Sequence, residues 1–281
     1  MVAQGMARLL CISDLHVASP RNRAFVEQIQ PRPDDWLVVA GDVGETVAQL
    51  EWTLGLLSRR FRQVVWVPGN HELWTLPDDP APLRGEHRYL HMVEVCRRLG
   101  VLTPEDPYPV LELEGGAEVV VAPLFVLYDY SFRPDGIGPE EALARAWRAN
   151  IVCTDEFLLH PDPYPSRAAW CRRRVELTAA RLAAVPARYR TVLVSHFPLH
   201  RDVVHLPAMP EFALWCGTRL TEDWHCRFRA EAVVMGHLHT PGVRWLDGVP
   251  FEEVSLGYPQ QWVHRGRPGV PREVPSGSRR S

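Results

Sequence analysis

Residues 9–16 read LLCISDLH: four apolar residues, a serine, then Asp14 and His16 two positions apart. A continuous apolar run bounded by turn formers suits a strand buried on both faces, because nothing in it alternates toward water. The polar pair that follows sits where open α/β sheets bind ligands, just past the carboxyl ends of their strands. The same arrangement returns along the chain. Asp42 follows WLVVAG (36–41), Asn70 and His71 follow VVWVPG (64–69), His196 follows TVLVS (191–195), and His237 and His239 follow AVVMG (232–236). Strands that end at a common edge can bring together groups far apart in sequence, which is what a metal ion needs.

Spacing adds a second constraint. Asp14 with His16, and His237 with His239, are two apart, which places each pair on one side of an extended backbone, facing one ion. Gly41, Gly69 and Gly236 precede key residues and suit sharp turns or close backbone approach; Pro68 fits a strand terminus better than a strand interior. The candidate ligands are three carboxylate or amide groups (Asp14, Asp42, Asn70) and four imidazoles (His16, His196, His237, His239). Mixed nitrogen and oxygen donors without thiolate favour Mn, Fe, Zn, Ni or Co, with Mn foremost, over a structural zinc or a calcium cage. Seven ligands exceed what one ion takes, and two divalent ions sharing a bridging carboxylate would use them all. Asp42, alone at its strand end, is the natural bridge. Such a pair, ~3.5–4 Å apart, supports in-line displacement at phosphorus.

Taken in order across positions 14 to 239, these blocks resemble the calcineurin-like metallophosphoesterase family, whose pattern runs D-x-H, G-D, G-N-H-E, a lone His and G-H-x-H. The resemblance implies an α/β fold, a four-layer α/β/β/α sandwich of two mixed β-sheets flanked by helices. It implies one ion held by Asp14, His16, Asp42 and His239, and a second by Asp42, Asn70, His196 and His237. His71 would not ligate; by the resemblance it is the catalytic residue that faces the phosphate and stabilises or protonates the leaving oxygen. Protein Ser/Thr phosphatases of the superfamily carry G-D-x-x-D-R-G where this chain reads Gly41-Asp42-Val43-Gly44-Glu45-Thr46. Their phosphate-holding Arg is missing, which argues against a protein phosphatase. Glu45 stands where their Asp orients the catalytic His, and is the candidate for that role.

The 281 residues, 46% of them hydrophobic, can bury one large core. A single domain is expected over 1–264, followed by a basic Pro/Gly/Ser tail, 265–281, expected to be disordered. A net charge of −3 gives no basic footprint and argues against long nucleic acids as partners. Six scattered cysteines without a CxxC pair read as reduced thiols of a cytoplasmic protein, and no apolar run approaches the ~20 residues that span a membrane. Helices are expected at 46–61, with Val47, Leu50, Leu54, Leu57 and Phe61 as one buried stripe, at 86–99 before Gly100, and from Ser166 to just before Pro186. A hairpin is expected at 112–118, leading into the strand 119–126. Arg23, Asn22 and His200, close to the first and fourth blocks, are candidate substrate contacts. Tyr258 and Gln260 are candidates for the pocket wall.

The expectation is therefore a hydrolase: a dinuclear phosphatase that attacks a small phosphorylated metabolite or nucleotide with metal-bound hydroxide. The alternatives are a phosphodiesterase on cyclic nucleotides or nucleic acid, and a non-catalytic scaffold. The four imidazoles must be neutral to ligate, so activity should collapse in acid. Oligomeric state does not follow from the residues.

Overall fold

The structure is a computed structural model that describes residues 7–79, 82–113, 116–265 and 270–275. The apolar runs become strands. In chain order these are β1 (Leu9–Ile12), β2 (Arg32–Val39), β3 (Phe61–Trp66), β4 (Val110–Glu112), β5 (Glu118–Pro123), β6 (Arg190–Val194), β7 (Ala230–Met235), β8 (Gly242–Leu246), β9 (Val249–Glu253) and β10 (Arg272–Glu273). They form two sheets, in the orders β10-β1-β2-β3 and β4-β5-β6-β7-β9-β8. The interior pairings are parallel, and β10, β4 and β8 close the edges antiparallel.

The two-residue period of the strands sorts their side chains into layers. Leu9, Cys11, Val38, Ala40, Val65 and Val67 of the first sheet meet Val119, Val121, Val192, Val194, Ala232 and Val234 of the second in one apolar cluster. The intervening residues, among them Leu10, Ile12, Val39, Trp66, Leu193 and Val233, pack in a second cluster with residues of the helices. Two sheets therefore lie face to face with helices outside, the four-layer sandwich that the resemblance implied.

The helices are α1 (Pro20–Gln28), α2 (Val47–Ser58), α3 (Asn70–Leu73), α4 (Gly85–Arg98), α5 (Pro139–Arg148), α6 (Asp155–Leu158), α7 (Arg167–Ala183), α8 (Trp224–Arg227) and α9 (Pro259–Trp262). α2 opens with a capping box: Thr46 Oγ1 accepts from Gln49 N at 3.2 Å, and Gln49 Oε1 accepts from Thr46 N at 3.3 Å. α7 starts where Ser166 Oγ accepts from Ala169 N at 3.1 Å, and α4 ends before Gly100, whose φ of 70° suits a C-terminal cap. Two expectations are corrected. Leu50, Leu54 and Leu57 form the buried stripe of α2, but the chain turns at Arg59 and Arg60, so Phe61 opens β3 instead of closing the helix. The stretch after 265 is not without order throughout. β10 pairs with β1, placing Glu273 opposite Leu10, and Val270 and Val274 are buried. Valines among the prolines give that segment something to bury, and proline is tolerated on an edge strand, which need not donate at every position. Residues 266–269 and 276–281 of the expected tail lie outside the described residues.

All six cysteines are free thiols, five of them buried. No helix of the described residues is long and apolar enough to cross a membrane. Because Val274 lies in the layer between the sheets, Val274→Asp should lower unfolding free energy by about 3 kcal/mol, read by urea denaturation of the two proteins.

Candidate metal centre

At the carboxyl edge the two sheets are tied to each other. Ser13 N donates to Val254 O at 3.0 Å and Leu256 N to Ser13 O at 2.9 Å, linking the exits of β1 and β9. Beyond this bridge the backbone is kinked. Asp14 (φ 54°), His16 (41°), Asp42 (53°), His237 (71°) and His239 (53°) all lie in the left-handed region, which costs a non-glycine residue ~1–2 kcal/mol. The expected extended pairs are thus corrected. Turning the chain at each of these positions leaves Asp14 and His16 in one group but separates His237 from His239. His239 Nε2 stands 2.9 Å from Asp14 Oδ1 and 3.1 Å from His16 Nε2, whereas His237 groups with Asp42 and His196. The kinks are held by a short zipper: Asp14 N donates to Gly41 O at 2.9 Å, His16 N to Asp42 O at 3.0 Å and Val17 N to Val43 O at 2.9 Å.

The glycines before the ligand candidates allow close approach. A Cβ on Gly69 would overlap the Asp42 carboxylate, one on Gly41 would come within 2.7 Å of His196 Nδ1, and one on Gly236 within 2.5 Å of Asp14 Oδ2. Three overlapping clusters result: Asp14, His16 and His239; His16, Asp42 and His71; Asp42, His196 and His237. In each, the ligand atoms lie within 4.8 Å of one another. Asp42 Oδ2 is 3.4 Å from His196 Nε2 and 4.0 Å from His16 Nε2, and Asn70 Oδ1 is 3.3 Å from His196 Nε2. All seven predicted ligands therefore converge.

The cluster fits divalent cations on its own chemistry. His237 Nε2 is buried with no hydrogen-bond partner among the described residues. His16 Nε2 and His239 Nε2 stand 3.1 Å apart, and lie 3.9 and 2.9 Å from Asp14 Oδ1. His196 Nδ1–H donates to Ala40 O, and His239 Nδ1–H to Gln261 Oε1, both at 2.9 Å. These bonds leave Nε2 of each ring as the nitrogen that could ligate.

The sequence profile described as calcineurin-like phosphoesterase matches residues 7–241. The chain belongs to the calcineurin-like phosphoesterase family. It is 52% identical over 259 residues to the [acyl-carrier-protein] phosphodiesterase PptH of Mycobacterium tuberculosis (strain ATCC 25618 / H37Rv), covering 92% of this chain and 80% of that protein. The crystal structure of the phosphopantetheinyl hydrolase PptH from Mycobacterium tuberculosis superposes with a TM-score of 0.91 at 49% identity, covering 98% of each chain. As a member of this metal-dependent family, the protein is a phosphoester hydrolase.

This phosphoesterase surrounds its clusters with groups that carried no separate role in the motif. Glu72, the last residue of G-N-H-E, accepts from Asp42 N at 3.0 Å, Val43 N at 2.6 Å and Gly69 N at 2.8 Å, clamping the second motif to the third. Burial and the charge of Asp42 push Glu72 up to about 7, against the pull of those N–H donors. Asp155 Oδ1 accepts from Asn70 Nδ2 at 2.9 Å and Trp74 Nε1 at 2.6 Å, which turns Asn70 Oδ1 toward His196. Asp14 Oδ2 accepts from Ser13 Oγ at 2.6 Å and Ser255 Oγ at 2.8 Å. Tyr258 stacks on His16 with centroids 4.3 Å apart, and Gln261, where Gln260 had been expected, is the glutamine at the site.

The suggested substrate contacts are engaged elsewhere. Asn22 is fully buried; it donates to Leu15 O at 2.8 Å and Gly257 O at 2.9 Å and accepts from Trp262 Nε1 at 3.1 Å. Both of its N–H groups are committed to backbone carbonyls, and it positions the Asp14–His16 loop. The Arg23 guanidinium lies 3.8 Å over the Trp52 ring and 3.7 Å from Glu27. His200 Nδ1 accepts from Asp202 N at 3.1 Å, capping the short turn 201–203. Glu45 fares differently: its Oε1 is 3.4 Å from His71 Nδ1, as its motif position suggested.

Charge divides the imidazoles. Burial drives His16 and His237 down to about 3, so both are neutral and ready to ligate. Burial also opposes charge on His196 and His239, but Asp42 raises the first to about 10 and Asp14 raises the second. A cation entering here must displace a proton. Gly69→Ala, by pushing the Asp42 carboxylate aside, should weaken divalent-metal binding 10–100-fold, measured by calorimetric titration of Mn²⁺ with circular dichroism to verify the fold.

Proposed function

We propose that this chain is a dinuclear metal-dependent phosphodiesterase that cleaves the phosphodiester joining a phosphopantetheinyl group to an acyl carrier protein. The observation that carries the reading is its 52% identity, across 92% of its length, to a protein named for that reaction. The convergent clusters supply the means. This displaces the phosphatase on a small metabolite, because the relative is named for cleavage of a diester. The diester alternative is kept, with a protein-borne group in place of a cyclic nucleotide or nucleic acid.

Asp14, His16, Asp42 and His239 would hold one ion, and Asp42, Asn70, His196 and His237 the other, with Mn²⁺ the favoured occupant. When bound, such ions draw charge off the phosphoryl oxygens and acidify the attacking water. His71 supplies what remains. Its Nε2 is 3.8 Å from Asp42 Oδ2 and so points into the cluster, while Nδ1 faces Glu45. Burial opposes charge on His71, yet Asp42 and then Glu45 raise it, and Nε2 is placed to give a proton to a poor alkoxide leaving group. The Trp74 ring, 3.7 Å from that of His71 between centroids, limits its movement.

Incubation of the Mn²⁺-loaded protein with a holo-acyl carrier protein should remove the phosphopantetheinyl mass, seen by intact-protein mass spectrometry. Turnover of an aryl phosphomonoester with an untouched carrier protein would sink the proposal and restore the phosphatase. His71→Ala should slow cleavage from the carrier protein ~10²–10⁴-fold but hydrolysis of an aryl diester far less, because a good leaving group needs no proton. Glu45→Gln removes an anion that raises His71, so the alkaline limb of the pH–rate profile should move to lower pH; an unmoved limb would separate Glu45 from His71.

A further inference from the structure

A second group of metal-ligating side chains lies outside the centre described above. His225 and Cys226 are adjacent on α8, which packs on β7. Asp247 belongs to the turn between β8 and β9. The register Leu246↔Val249 leaves Asp247 and Gly248 as a two-residue loop, with φ of 51° and 77°, the type I′ turn that Asp-Gly favours. This turn carries the Asp247 carboxylate onto α8. His225 Nε2 is 3.0 Å from Asp247 Oδ2, and Cys226 Sγ is 4.0 Å from the same oxygen. His225 is buried, edge-on to Phe251 with centroids 5.4 Å apart, so its ring is fixed. Cys226 and Asp247 are exposed.

We propose that His225, Cys226 and Asp247 form a third metal site, selective for a borderline divalent cation of the zinc class. A tetrahedral ion with a sulfur ligand at about 2.3 Å and nitrogen and oxygen ligands at about 2.0–2.1 Å sets the ligand atoms roughly 3.3–3.6 Å apart. The observed 3.0 and 4.0 Å lie within a small side-chain adjustment of that figure. Nitrogen, oxygen and sulfur donors together distinguish this site from the dinuclear centre, whose clusters contain no cysteine. A thiolate favours Zn²⁺ or Co²⁺ over Mn²⁺, so the two places should sort metals between them. On binding, Cys226 gives up its thiol proton to solvent, and the fourth corner, open to water, is left to a solvent molecule. Occupancy would clip the β8–β9 hairpin, which forms the edge of the six-stranded sheet, to α8. It would also border the loop after His196, since the His200 ring lies 5.8 Å from that of His225.

Cobalt tests this without ambiguity from the catalytic centre, because only a thiolate gives a sulfur-to-cobalt charge-transfer band. The full-length Mn²⁺-loaded protein, titrated with Co²⁺, should develop that band, saturating at one equivalent. Cys226→Ser should lose the band while keeping hydrolysis of an aryl diester within twofold of the parent. A titration with no such band, or a band that persists in Cys226→Ser, would overturn the site. In the unmodified sequence Zn²⁺ should slow alkylation of Cys226 by iodoacetamide at least tenfold, with Asp247→Asn weakening the protection; an alkylation rate indifferent to Zn²⁺ would overturn it equally.

Discussion

Asp42 carries more of this molecule than any other residue, because each of its polar atoms has a different task. Its N–H is held by Glu72 at 3.0 Å, its carbonyl oxygen accepts from His16 N at 3.0 Å, and its Oδ1 accepts from His71 N at 3.0 Å. Those three bonds fix the residue in a left-handed conformation against two other motifs. They leave Oδ2 alone to face His16, His71 and His196. A carboxylate held this way has no freedom to relax toward solvent, and the imidazoles around it lower its pKa despite full burial. Gly69 is required for the same reason, since any side chain there would occupy the volume of the carboxylate.

Holding such an arrangement costs folding energy. Five left-handed non-glycine residues at the sheet edge together oppose folding by roughly 5–10 kcal/mol, comparable to the net stability of a domain. The burial between the sheets and beneath the helices must offset it. Strain of this kind persists only where the surroundings over-determine the backbone, and the zipper between the loops after β1 and β2 supplies that here. Asp42 raises His196 to about 10 and Asp14 raises His239, so each buried aspartate favours charge on a facing imidazole, a balance that divalent cations would take over.

The parts of the fold and site legible in the sequence were those written as contiguous patterns. Apolar runs gave β1, β2, β3, β6 and β7, and the polar residues after them gave all seven groups that converge. The Glu45 contact with His71 was legible by position in a motif. Asp155 and Gln261 were not, because each reaches the site from an element with no chemical signature of its own. Glu72 stood inside a quoted motif, yet its three backbone hydrogen bonds depend on how two loops pack. Arg23 and Asn22 misled by proximity: one helical turn after Ser19 rotates them toward α2 and the Leu15 carbonyl. The spacing of His237 and His239 misled as well, since a period of two holds only for extended backbone and these residues are kinked. The β8–β9 hairpin was not among the elements expected, although Asp247-Gly248 is a turn signal, and β10 was hidden by prolines that an edge strand tolerates.

The pairing of β10 with β1 sets a timetable for synthesis. β1 is translated well over two hundred residues ahead of β10, so its outer edge stays unpaired until residues 272 and 273 have been made, on the order of tens of seconds later at ribosomal speed. Asp14 likewise waits for His239 and Ser255. A nascent chain can thus assemble β2 and β3 on β1 early, yet it exposes an open strand edge until β10 has been made, and lacks the last site residues until His239 has been. Open edges recruit other strands. The late arrival of β10 makes this strand the place where a stalled or truncated chain would begin to aggregate, and the site cannot be completed before His237 and His239 have been made.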